Sequence, residues 1–92
     1  MRYRLLNMTF KIERTYSGQV TAFRLVGRLK CESLEELKQQ MEHGGPQVVL
    51  DLSEVELVDV EVVRFLGSCE TQGATLLNCS PYIRNWIGKE RA

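Results

Sequence analysis

Alternating apolar and polar positions in the first third of the chain predict two strands joined by a tight turn. Phe10 and Ile12 alternate with Lys11 and Glu13, giving a half-buried strand over about residues 10–15, and Tyr16-Ser17-Gly18-Gln19 supplies the turn. In the returning segment, Val20 to Leu29, the residues Thr21, Phe23, Leu25, Gly27 and Leu29 fall on one side, and Arg24 and Arg28 on the other. One face of this hairpin is therefore apolar and the other wet.

The period then becomes helical. Ser33 and Glu36 stand at the spacing of a capping box, and Leu34, Leu37 and Met41 recur every three or four residues. Gly44-Gly45-Pro46 offers a left-handed cap followed by a residue that cannot continue, so a helix over 33–43 is predicted. Gln47 to Ser53 returns to period two, with Val48, Leu50 and Leu52 on one face, and reads as a third strand followed by a connector, Glu54 to Val58. Asp59 can cap a second helix whose stripe is Val62, Val63, Leu66 and Cys69 and which ends near Gly73. Ala74 to Cys79 predicts a short fourth strand. Ser80 and Pro81 suit the cap and first turn of a last helix that buries Ile83, Trp86 and Ile87.

The order is ββαβαβα, an α/β pattern. Right-handed βαβ crossovers would place the helices mainly on one face of a single four-stranded mixed sheet. Residues 1–7 show no period and are expected to form a loosely ordered extension to a domain over 8–92, with Met8 a candidate start.

Composition narrows the function classes. A chain of 92 residues, 43% hydrophobic, supports one core. At this size roughly two-thirds of the unfolded surface is buried, which leaves little room for a deep enclosed active site and favours a binding module. Lys and Arg number 12 and acids 12, so no global field gathers nucleic acid or an anionic membrane. Apolar runs such as Val48-Val49-Leu50 are too short to span a bilayer, and a cytoplasmic location is the default expectation.

Candidate chemistry is sparse. Cys31, Cys69 and Cys79 show no C-x-x-C spacing and read as reduced thiols; Cys69 lies on an apolar stripe, and Cys31 is the one expected to be exposed. The single histidine, His43, sits in a helix-ending sequence and offers no base to a nucleophile. Glu54, Glu56, Asp59 and Glu61 crowd one connector, but Val55, Leu57, Val58 and Val60 interleave with them, the pattern of a solvated edge rather than a metal or acid–base site. Phosphate-cradling glycine motifs are absent, and no cofactor is expected. Tyr82, Arg84, Trp86, Lys89 and Arg91 mix aromatic and basic residues as single-strand nucleic-acid binders do. Core packing accounts for Trp86, and the helix dipole for the terminal cations.

Three stretches together resemble the STAS domain family, of the anti-sigma-factor-antagonist type. They are V-T-A-F-R-L-V-G-R-L over Val20 to Leu29, Q-V-V-L-D-L-S-E-V-E-L-V-D over Gln47 to Asp59, and the close from Gly73 to Ile87. The resemblance implies a non-enzymatic protein-interaction module whose partner surface surrounds the start of helix 2: Asp59, Val60, Glu61, Val62 and Arg64. It also implies a partner such as an anti-sigma-factor kinase-like protein. In the family, a Ser or Thr following that Asp is phosphorylated and a glycine stands two residues later. Here Val60 holds the acceptor position and Val62 the glycine position, so the usual phosphorylation switch is missing. Glu61 adds a fixed charge to the first turn, which the helix dipole explains without phosphate mimicry. Two other functions fit the same pattern: an accessory STAS subunit of a transport ATPase, and a small ligand- or nucleotide-binding domain.

Overall fold

β1 (Phe10–Ser17) and β2 (Val20–Leu29) form an antiparallel hairpin with Ser17 opposite Val20, leaving the two-residue loop Gly18-Gln19. Such a loop needs a positive φ at its first position, and Gly18 supplies it at +64°. A computed structural model of the chain describes residues 10–91, so the extension expected over residues 1–7 and the candidate start at Met8 lie outside the described residues. After the hairpin come α1 (Cys31–Glu42), β3 (Gln47–Val58), α2 (Val60–Thr71), β4 (Thr75–Leu77) and α3 (Pro81–Arg91). The sheet runs β1-β2-β3-β4, with β2, β3 and β4 parallel and β1 antiparallel to β2. This is the mixed α/β architecture and ββαβαβα order that the patterning predicts.

The helices cover the face carrying Phe23, Leu25 and Leu29 of β2 and Leu50, Leu52 and Val58 of β3, all buried. Leu34 and Leu37 of α1, Val62, Val63 and Leu66 of α2, and Ile83 and Ile87 of α3 complete one continuous core. Trp86, expected inside, is half-buried and packs at the core's margin, because Ile83 and Ile87 already occupy the inward side of α3. On the opposite face of the sheet, Arg24 bridges Glu13 at 3.0 Å and reaches Glu54 at 4.0 Å, exposed pairs that add little stability.

β3 runs five residues beyond the predicted strand. Register shifts between Arg24 and Val26 and between Gly27 and Arg28 insert extra residues into β3. Leu52, Val55 and Val58 therefore face the helices at three-residue spacing, and the broken alternation makes a bulged strand read as a connector. Opposite the bulges, Gly27 takes φ +99°, a value that side chains resist. Gly27→Ala should lower stability by about 1–3 kcal/mol, seen as a lower urea midpoint with an unchanged slope.

The ends of α1 also differ from expectation. The helix begins at Cys31, so Ser33 occupies the third helical position rather than the cap, and its hydroxyl accepts from the Lys30 amide at 3.4 Å. Neither Gly44 nor Gly45 is left-handed. Their role is close approach: a Cβ on Gly45 would stand 3.0 Å from the Gln19 carbonyl oxygen, and the Gly45 amide donates to buried Thr21 Oγ1 at 2.9 Å. The left-handed glycine appears instead after α2, at Gly73 with φ +112°. β4 is limited to three residues, and Asn78, at φ +55°, turns the chain out of the sheet while its amide donates to Asp51 at 3.0 Å.

α3 is fastened to α2 by charge as well as packing. Arg84 makes a forked pair with Glu70 at 2.8 and 3.1 Å, Arg91 joins the same carboxylate at 3.1 Å, and Arg64 meets Glu90 at 2.9 Å. The arginines hold the Glu70 carboxyl below its ordinary range. Gly67 allows this approach, since a Cβ there would stand 3.3 Å from Ile87 and 3.4 Å from Arg91.

Candidate partner interface

Asp59 is the residue around which the candidate surface is built. Its backbone is extended, at φ −110° and ψ 179°, as an N-cap requires, and its Oδ1 accepts from the Val62 amide at 3.0 Å. Its second oxygen, Oδ2, accepts from the Cys31 amide at 2.8 Å, the first helical residue of α1. One carboxylate thus caps two helices whose N-terminal dipoles both favour its charge. This fixes the α2 start relative to α1. The local sequence around Ser33 gives no sign of it, because the donor and acceptor are 28 residues apart.

The other sequence-predicted residues divide by burial. Val60 is half-buried, and no hydroxyl stands at that position. Glu61 and Arg64 are exposed, at 57% and 58% of their side-chain surface, and face each other at 3.7 Å. Arg64 is also held by Glu90, so α3 contributes a carboxylate to this surface that no local motif signals. Val62 is fully buried and packs into the core, shaping the surface from below without presenting atoms to it. Beside the turn, Leu57 at the end of β3 is 44% exposed, an apolar side chain open to solvent.

The clustered acids do not converge. Glu54 turns to Arg24, Asp59 to the two helix starts and Glu61 to Arg64, and among the described residues no three His, Cys, Asp or Glu side chains are placed to hold a metal. Of the thiols, Cys31 is exposed, while burial pushes Cys69 up to about 11 and raises Cys79, disfavouring the thiolate in both. His43 is exposed at the C-terminal end of α1, opposite the end that carries Cys31, with Nδ1 3.0 Å from the Gln39 carbonyl oxygen. Among the described residues no helix is long and apolar enough to cross a membrane.

A sheet in the order β1-β2-β3-β4, with α2 opening on a capping Asp at the end of β3, defines a class of small α/β domain. Residues 12–76 match the family model described as "Mlab, STAS domain", and the chain belongs to the STAS domain family. Among solved structures it is similar to the anti-sigma factor antagonist SpoIIAA in its unphosphorylated form, with TM-score 0.66 and 19% identity over 89% of this chain and 80% of that one. It is also similar to the phosphorylated form of SpoIIAA, the Bacillus cell fate determinant, with TM-score 0.60 and 18% identity over 88% and 82% of the two chains. An antisigma-factor antagonist STAS domain from Rhodobacter sphaeroides superposes with TM-score 0.58 and 23% identity over 77% and 86%. No curated protein sequence is significantly similar to this chain.

Proposed function

We propose that this chain is a non-enzymatic interaction module that docks a protein partner on the surface at the start of α2, with no phosphorylation switch at Val60. The observation that carries the reading is the double cap at Asp59: it holds an exposed helix start in one orientation, while the residue at the family's acceptor position has no hydroxyl. A pre-organised surface loses little freedom on binding. Leu57 and Val60 supply the apolar centre, and Glu61 and Arg64 supply opposite charges at its rim. The likeness in fold to anti-sigma factor antagonists supports a signalling protein as the partner, an anti-sigma-factor kinase-like protein on the family resemblance. Binding is constitutive at this turn and responds to partner concentration.

Affinity capture from the native host identifies the partner, and the parent chain is then compared with Glu61→Lys and Arg64→Glu in a titration. Each reverses a rim charge and should weaken binding by about tenfold, near 1.4 kcal/mol, with far-UV circular dichroism unchanged. If both folded variants bind as tightly as the parent, the surface lies elsewhere. Capture of a transporter ATPase in place of a kinase-like protein would assign the accessory-subunit role.

A further inference from the structure

The outward side of α3 carries a second surface that the α2 start does not use. Ile83 and Ile87 face the core, and the opposite side presents Tyr82, Asn85, Trp86 and Lys89 around a groove of about 420 Å³. Tyr82 is 56% exposed, and its ring lies 5.8 Å from the half-buried Trp86 ring, tilted by 50°. These positions follow the i, i+3, i+4, i+7 spacing of a single helical stripe. Charge on this stripe is simple. Arg84 and Arg91 are committed to Glu70 and Glu90 to Arg64, whereas Lys89 takes part in no ion pair among the described residues.

We propose that this stripe is a self-association surface, on which α3 of a second copy of the chain packs antiparallel about a two-fold axis. The order of residues is self-complementary under that operation. An axis passing between positions 85 and 86 sets Lys89 opposite the partner's Tyr82 and Trp86 opposite the partner's Asn85, and the same contacts repeat with the roles exchanged. Each ammonium then lies over an exposed aromatic ring, and each indole N–H meets an amide that can accept it. Because the same patch is used on both copies, association closes at two. α3 is suited to this position: its packing partner among the helices is α2, and it forms the edge of the helical layer. The area offered is one short helix face, so the dimer is a weak and reversible one.

Trp86 is the chain's one tryptophan, so its emission reports on the contact directly. Sedimentation velocity over a concentration series should show the mass rising from 10.6 kDa toward twice that value, with Trp86 emission moving to the blue over the same range. Lys89→Glu and Tyr82→Ala alter exposed side chains and should leave the far-UV spectrum unchanged while moving the dimer midpoint at least about tenfold higher in concentration. A chain that stays monomeric throughout, or a dimer that survives both substitutions, overturns the proposal. A monomer whose Trp86 emission responds instead to an acidic protein from the native host overturns it too and gives the stripe to that protein. None of these outcomes bears on the α2 start, so the two surfaces are tested separately.

Discussion

Leu50→Ala should lower stability by about 2–5 kcal/mol. Leu50 is fully buried on the central strand β3, paired between Phe23 of β2 and Leu76 of β4 and facing the helices. Removing three carbons leaves a cavity that neighbours on three strands and the helical layer fill poorly. In a domain of this size, 1 kcal/mol shifts the melting temperature by roughly 4–8 °C, so a fall of at least about 8 °C is expected. A smaller fall, with the fold intact, would mean that the core is not arranged around β3 as described.

Asp59→Ala should cost about 1–4 kcal/mol, since an N-cap is worth about 0.5–2 kcal/mol and this carboxylate serves two helices. Asp59→Asn separates the contributions. An amide has one acceptor oxygen, so it can keep the bond to Val62 or the bond to Cys31 but not both. Its cost should fall between those of the parent and the alanine variant. Thermal or urea unfolding of the three proteins gives the ranking; if alanine and asparagine unfold together with the parent, the double cap contributes nothing. Because Asp59 also orients the proposed docking surface, the alanine variant should bind a partner more weakly even where it remains folded.

The double cap also explains why some of the fold could be read from the sequence and some could not. β2 has the predicted bounds, Val20–Leu29, because strict alternation with one wet face leaves a single register. The start of α2 was legible because Asp59 and the amide it caps are three residues apart. The start of α1 was not, because its capping carboxylate arrives from the far end of β3, and a local motif at Ser33 offered a plausible substitute. The extra length of β3 was hidden by its bulges, which convert a period of two into one of three. At the candidate surface, the turn from Asp59 to Arg64 was visible through family resemblance. The buried state of Val62 follows from its place on the α2 stripe, and the contribution of Glu90 depends on how α3 folds back.

The arrangement of the sheet also sets the order in which this surface can come into being. The β1–β2 hairpin closes through two residues, whereas the central β2–β3 pair is parallel and must wait for α1 to bridge its ends. Closing that crossover is the costly step in loop entropy and the expected barrier to folding. The Asp59 contact to Cys31 spans the same crossover and cannot form before it closes. A chain caught on the near side of that barrier carries the residues of the docking surface without their geometry, so a partner reading the α2 start would engage finished molecules and pass over incomplete ones.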